Sequence, residues 1–283
     1  MIPPGSSPVV ELSDDRAARR GVRLFLKRDD LLHPELPGNK WRKLKHNIAP
    51  ARGAGTVLTF GGAYSNHVRA TAAAGRIFGF ATIGVIRGEE RLPLNDTLAF
   101  AERCGMRLTY LDRASYRRKH EPGVIAALRE RWGGFHLLPE GGSNALAVRG
   151  CEELGREVPG HDVVCVPCGT GGTLAGLAAG LAPGQRALGF AVLKGGFLGG
   201  EVERLQREAY GGRRGDWRVE HGFHFGGYAR TTPELDAFAD DFAARHGIVL
   251  DRIYTAKMMA GILALTERGA FAEGTRVLAV ITG

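Results

Sequence analysis

Along the 283-residue chain the apolar positions switch repeatedly between two periods. Short β-branched or aliphatic runs at 56–60, 81–86, 106–111, 135–138, 162–167, 188–193 and 277–281 read as strands. Between them, apolar residues recur at helical spacing over 98–103, 124–132, 145–154, 174–181, 202–209, 233–246 and 256–267, with Gly105 and Gly247 as helix stops. A further alanine-rich helix follows the loop Gly61-Gly62-Ala63-Tyr64-Ser65-Asn66-His67. Strands alternating with helices imply parallel sheets covered by helices, an open α/β architecture that binds ligands at the carboxyl ends of its strands. The glycine-rich loops all sit at such ends. No Pro/Gly/Ser-rich linker divides the chain, so two domains would be interleaved and not strung in series. The stretch 195–228 is the least readable part.

Composition narrows the class. Apolar residues make up 44% and charged residues 24%, as in an ordinary globular protein of one large or two closely packed domains. Lys and Arg number 38 against 30 Asp and Glu, a formal charge of +8. Acids are interleaved with the bases, and no basic arm or aromatic RNA-binding stretch accompanies them, so nucleic acid is not an expected partner. Cys165 and Cys168 form a C-x-x-C without a second ligand pair, and Cys165 falls within a strand, so packing is expected there and a metal site is not. Met1–Gly5 lacks the start of a signal peptide and no apolar run could cross a bilayer, which leads to the expectation of a cytoplasmic protein without membrane contact.

Three stretches carry candidate chemistry. In Pro37-Gly38-Asn39-Lys40-Trp41-Arg42-Lys43-Leu44, the turn residues Pro37 and Gly38 precede Asn39 as a candidate N-cap. Trp41, Leu44 and Ile48 then recur at helical spacing until Pro50 stops the run. Lys40 therefore opens a helix, where the positive end of the helix dipole and the like charges of Arg42, Lys43 and Lys45 disfavour its ammonium form. A lysine that loses its proton easily is a nucleophile. Taken alone, a basic first turn also reads as solvated surface. Gly169-Thr170-Gly171-Gly172-Thr173, between a strand and a helix, offers open N–H groups, two hydroxyls and a helix N-terminus, which suits a phosphate. It fits neither the dinucleotide fingerprint nor a Walker A loop, and a ligand-free tight turn is the alternative. Ser65 and Asn66 can be plain helix caps, or with His67 can form a turn that holds a carboxylate.

Together these motifs are far more specific. Gly38-Asn39-Lys40, Gly61-Gly62-x-x-Ser65-Asn66-His67, Gly141-Gly142-Ser143-Asn144, Gly169 to Thr173, Tyr254-Thr255-x-Lys257 and a closing Thr282-Gly283 occur in one order. In that order the chain, from Lys27-Arg28-Asp29-Asp30 to its end, resembles the pyridoxal-phosphate enzymes of the 1-aminocyclopropane-1-carboxylate deaminase and D-cysteine desulfhydrase family. The resemblance implies a tryptophan synthase β-like fold (PLP fold type II) of two open parallel-sheet, three-layer domains. The large cofactor-binding domain would comprise 1–47 and 143–283, and a small interleaved one 48–142, with pyridoxal 5'-phosphate in the cleft between them. Lys40 would carry the cofactor covalently, Gly169, Thr170, Gly171, Gly172 and Thr173 would hold its phosphate, and Asn66 would bond its phenolic oxygen. Ser65, with the turn through Asn66 and His67, would bind the substrate carboxylate. Tyr254 and Tyr228 match the family's active-site tyrosines, packing being the alternative for Tyr228.

One departure sorts the family's members. Where the cyclopropane deaminases place a glutamate that keeps the pyridine nitrogen protonated, this chain has Thr255, with Thr282 a second candidate partner for that nitrogen. A hydroxyl gives a weaker electron sink, adequate for expelling thiolate. The resemblance thus implies α,β-elimination from a small amino acid, D-cysteine desulfhydrase-like, to pyruvate, ammonia and sulfide. Cyclopropane-carboxylate deamination, or a non-catalytic relative that binds the cofactor or a phosphate, are the alternatives. Analogy of fold implies a homodimer. The chain is also short for the family and ends where relatives usually continue.

Overall fold

The computed structural model describes residues 6–282, so the expectation drawn from Met1–Gly5 and the closing Gly283 lie outside the described residues. The strands are β1 (Val9–Leu12), β2 (Arg23–Lys27), β3 (Thr56–Gly61), β4 (Ala81–Arg87), β5 (Arg107–Leu111), β6 (His136–Leu138), β7 (Val163–Cys168), β8 (Arg186–Ala191), β9 (Asp216–Glu220) and β10 (Arg276–Val280). The helices are α1 (Asp15–Ala18), α2 (Asn39–Lys45), α3 (Ile48–Ala54), α4 (Asn66–Phe78), α5 (Asp96–Arg103), α6 (Arg113–Arg117), α7 (Pro122–Trp132), α8 (Ala145–Arg156), α9 (Gly172–Gly180), α10 (Leu198–Tyr210), α11 (Pro233–His246) and α12 (Thr255–Glu267). They build two sheets, one in the order β1-β2-β10-β7-β8-β9 and one in the order β5-β4-β3-β6. Every pairing is parallel except β1 with β2 at the edge. This is the two-domain α/β architecture of PLP fold type II. Among the described residues no helix is long and apolar enough to cross a membrane.

The larger sheet is buried on both faces, which is why its strands read as continuous apolar runs. Alternate residues of β10 divide between two cores: Val277 and Ala279 join Leu188, Phe190 and Met259 on one side, whereas Leu278 and Val280 join Leu174, Leu177 and Val202 on the other. Cys165 and Cys168 pack into these two cores, one on each side. Strands β1, β2 and β9 carry no comparable signal. Arg23-Leu24-Phe25-Leu26-Lys27 is bracketed by charges and Asp216-Trp217-Arg218-Val219-Glu220 alternates them, so hydropathy hides both, and β9 lies in the least readable stretch.

Two expectations about the Lys40 helix are corrected. Gly38, not Asn39, is the N-cap of α2, and Asn39 is the first helical residue. Gly38 has φ +52, and a Cβ there would lie 2.0 Å from the Thr282 carbonyl oxygen, so only glycine can enter the helix at this angle against the chain end. Nor does Pro50 stop the run: α2 ends at Lys45 and α3 begins at Ile48, placing Pro50 in the first turn of a new helix. That turn has no need of the N–H that proline lacks.

Candidate active site

The residues following β3 and β7, and the end of β4, border one cavity of about 720 Å³. That volume lies within the roughly 300–1,000 Å³ usual for small-molecule sites. Lys40, Ser65, Asn66, His67, Gly169, Thr170, Gly171, Thr173, Tyr228 and Tyr254 all line it. Gly172, Thr255 and Thr282, also expected at the site, are buried but do not belong to its lining.

Helix α2 presents different residues to different surroundings. Its apolar Trp41 and Leu44 pack with Val57, Ala70 and Leu138 of the smaller sheet's core. Arg42 is drawn into a buried ion cluster, meeting Asp29 at 2.6 and 2.9 Å and Glu157 at 2.7 and 2.8 Å. Lys27 completes the cluster, 2.9 Å from Glu157 and 2.6 Å from the Ser7 carbonyl oxygen. Lys45 pairs with Glu153. The expected crowding of Lys40 by three cations therefore reduces to one, because Arg42 and Lys45 are neutralised by acids far away in sequence. Lys40 and Lys43, three residues apart and both lining the cavity, have no carboxylate partner among the described residues. Burial first, and the charge of Lys43 second, lower the pKa of Lys40 from 10.5 to about 7. Its Nζ stands 5.9 Å from the centroid of the Tyr254 ring.

Lys43 is a site residue that the motifs did not single out, although its i, i+3 spacing from Lys40 carries the signal. Its ammonium donates to the Gly141 carbonyl oxygen and to Ser143 Oγ, both at 3.0 Å, and reaches Thr170 Oγ1 at 3.5 Å. Ser143 Oγ and Thr170 Oγ1 are 2.7 Å apart, and Asn39 Nδ2 donates to Thr173 Oγ1 at 3.3 Å. Hydroxyls, one ammonium group and the first turn of α9 thus converge at the end of β7. Gly171 has φ +76, and a Cβ there would meet Val202 Cγ2 at 2.9 Å. A side chain at Gly171 would strain the turn against α10, so replacing it tests the loop's fold as much as any ligand. Gly172 instead packs towards Ser143 Oγ and Lys43 Cε.

At the opposite wall, Ser65 caps α4 by accepting from the Val68 N–H at 3.3 Å, which leaves its own hydrogen for a ligand. The cap and the ligand-binding readings are therefore compatible. His67 is buried, with Nε2 at 2.8 Å from Thr59 Oγ1. Since the single Thr59 hydroxyl hydrogen goes to the Leu138 carbonyl oxygen at 3.0 Å, His67 Nε2–H is the donor. Nδ1 is then an unprotonated acceptor, and among the described residues neither it nor Asn39 Oδ1 has a partner. Burial, followed by the charges of Lys40 and Lys43, keeps His67 neutral by holding its pKa well below the ordinary range.

Tyr228 and Tyr254 meet edge to face, with centroids 6.0 Å apart and planes at 70°. The loop bearing Tyr228 is held by Lys257, whose Nζ donates to the carbonyl oxygens of His224 at 2.9 Å and Gly227 at 2.7 Å. Burial, then the neighbouring Tyr228, push the Tyr254 hydroxyl pKa well up, so it keeps its proton at neutral pH. Thr255 is set apart. Its hydroxyl donates to Asp251 Oδ2 at 2.8 Å, and its N–H donates to the same oxygen at 3.0 Å, so it helps secure the start of α12. The outer part of the cavity holds Arg87, His120, Glu140 and the Arg204 cluster, none of them marked by a motif.

Two buried lysines without counter-ions, beside hydroxyls and a helix N-terminus, leave positive charge and donors uncompensated. A ligand bearing both a phosphate and an aldehyde matches these groups. Lys43, Thr170, Thr173 and the loop N–H groups can hold the phosphate, and neutral Lys40 can bond the aldehyde carbon. The profile of the pyridoxal-phosphate dependent enzymes matches residues 3–283. A Pyrococcus furiosus protein provisionally named a 1-aminocyclopropane-1-carboxylate deaminase is 31% identical over 281 residues, covering 93% of this chain and 85% of the relative. The bifunctional D-cysteine desulfhydrase/1-aminocyclopropane-1-carboxylate deaminase of Arabidopsis thaliana mitochondria is 30% identical, covering 93% of this chain and 72% of the relative. The crystal structure of an ACC deaminase homologue superposes with a TM-score of 0.85 at 29% identity, covering 100% of this chain and 90% of that one. The chain belongs to the pyridoxal-phosphate dependent enzyme family, in the group of 1-aminocyclopropane-1-carboxylate deaminase and D-cysteine desulfhydrase homologues.

Proposed function

We propose that this protein catalyses α,β-elimination from a small amino acid, D-cysteine by preference, yielding pyruvate, ammonia and sulfide. The observation that carries this reading is the charge of the cavity wall. Each carboxylate lining it, Glu140, Glu201 or Glu208, is already paired with Lys119 or Arg204. Bound pyridoxal phosphate supplies an electron sink for carbanionic charge at the substrate's Cα, and without a free carboxylate to protonate its ring that sink is weak. A weak sink suffices when the group on Cβ leaves readily, as thiolate does.

The roles of the chain's own residues follow from their placement. Lys40, whose pKa is lowered to about 7, would carry the cofactor and then move the proton at Cα. The Ser65 hydroxyl and the N–H groups of the turn through Asn66 and His67 would hold the substrate carboxylate at the start of α4, and Asn66 would bond the cofactor's phenolic oxygen. Gly169 to Thr173, with Lys43, anchor the phosphate. Tyr254, which keeps its proton, would help in proton transfer as a hydrogen-bond donor, with Tyr228 edge-on beside it. Thr282, at the carboxyl end of β10, remains the candidate partner of the ring nitrogen, since the Thr255 hydroxyl is committed to Asp251. We further propose that 48–142, which contain all four strands of the smaller sheet, form a domain inserted between the segments 1–47 and 143–283 of the larger one.

Cyclopropane-carboxylate deamination is the second reading, favoured by the Tyr228 and Tyr254 pair and by the names of the relatives. The two are separated by incubating the purified holoenzyme with D-cysteine, L-cysteine and 1-aminocyclopropane-1-carboxylate while measuring sulfide, pyruvate and 2-oxobutyrate. Sulfide from D-cysteine with little 2-oxobutyrate is expected. Efficient 2-oxobutyrate formation without sulfide would replace the proposal by the second reading, and sulfide from L-cysteine alone would overturn its stereochemistry.

A further inference from the structure

We propose that the outer half of the cavity is a subsite for an acidic group carried on the substrate's side chain beyond Cβ, and that Arg87 is the residue that recognises it. The inference rests on the elimination reading above and names its substrate class: amino acids whose leaving group ends in an anion. Arg87 is the last residue of β4, the neighbour of β3 in a parallel sheet, and so stands at the carboxyl end where such sheets receive ligands. Its guanidinium lies beside Gly62, within 3.5 Å of where a Cβ there would project, on the loop that leads to Ser65. It also sits 5.9 Å from the centroid of the buried Tyr116 ring, which restricts its range.

The other charges of the outer cavity are already satisfied. Arg204 is clasped by Glu201 and Glu208. Glu140 accepts from the Tyr116 hydroxyl at 2.9 Å and pairs with Lys119 at 3.1 Å. Arg87 alone among the cations there has no carboxylate partner and no hydrogen-bond acceptor among the described residues, while it lines the same cavity as Ser65 and Lys40. The cavity of about 720 Å³ extends from Lys40 and Ser65 to Arg87 and Arg204. A guanidinium takes a carboxylate by two parallel hydrogen bonds, so an acid-terminated side chain is the chemistry that fits.

The test uses a matched pair, S-carboxymethyl-D-cysteine and its neutral isostere S-carbamoylmethyl-D-cysteine. Elimination from the first breaks the bonds from Cα to hydrogen and from Cβ to sulfur. With one water it gives pyruvate, ammonia and thioglycolate, so a thiol reagent reads it directly. Each probe is also titrated as a competitor in the holoenzyme, followed by the visible band of the cofactor, which reports binding whether or not D-cysteine is turned over. A charge-assisted contact should favour the acid by about tenfold in both readouts. In Arg87→Gln the ratio of acid to amide should fall towards one, and Arg87→Lys should keep part of it. Equal binding of the two probes by the unmodified enzyme, or a preference that survives in Arg87→Gln, overturns the proposal. Equal weakening of both probes in Arg87→Gln also overturns it, by assigning Arg87 to the α-carboxylate. Absence of sulfide from D-cysteine with the acid preference intact would instead count against the D-cysteine reading alone.

Discussion

Helix α2 carries two kinds of buried cation, and the contrast between them separates scaffold from site. Arg42 and Lys27 are buried, but each is within 3 Å of a carboxylate, and the hydrogen bonds of Arg42 to Glu157 and Asp29 outweigh its burial and push its pKa up. Lys40 and Lys43 are also buried and have no acid partner among the described residues, so burial pushes both pKa values down. A buried ion that is paired on all sides holds its helix in place. A buried amine left unpaired is costly unless it can shed its proton or receive an anion, and both outcomes serve the chemistry assigned to this cavity.

Removing Lys40 should have the largest effect on function. Lys40→Ala is expected to abolish the borohydride-stable attachment of the cofactor and to lower turnover by at least about a thousandfold. Peptide mapping after borohydride treatment checks it, and attachment at Lys27 or Lys43 in the unmodified enzyme would dissolve the contrast. Arg42→Met acts on the scaffold side. It strands Asp29 as a buried carboxylate and leaves Glu157 with Lys27 alone, and a loss of about 3–5 kcal/mol in apoprotein stability is expected from denaturant unfolding. Lys43→Met should do the reverse of Arg42→Met, weakening cofactor retention by about tenfold or more while costing the apoprotein much less. It should also shift the Lys40 pKa upward, because a like charge is removed, although modestly, since burial is the larger cause.

Much of this molecule could be read before folding. The loops at 61–67 and 169–173 and a helix start beside Lys40 were visible because glycines and caps at strand ends are local signals. The division of labour along α2 was not. Arg42, Lys43 and Lys45 look alike in sequence, and what separates them are Asp29, Glu157 and Glu153, of which two lie more than a hundred residues away. Asn39 has the chemistry of a cap, yet its amide turns to Thr173 because Gly38 takes the cap position under the Thr282 carbonyl. Thr255 follows Tyr254 in sequence, but the helical turn at α12 aims its hydroxyl at Asp251 and away from the cavity. Arg87 closes an ordinary strand, and only the cavity marks it.

The central claim is that Lys40 becomes free amine just above neutral pH when the site is empty of cofactor. Its pKa is about 7 in the folded chain against an ordinary 10.5, so between those values the unfolded chain binds the extra proton. This group therefore adds stability to the apoprotein as the pH rises through that window. The same shift sets the rate at which apoprotein captures pyridoxal phosphate, because only the free amine attacks the aldehyde. Capture should be measured against pH by stopped-flow absorbance, with borohydride trapping to identify the lysine. The expected result is a rate that climbs to a plateau above an apparent pKa of about 7, with the label on Lys40. A rate still climbing towards pH 10, or a label on Lys43, would contradict the account.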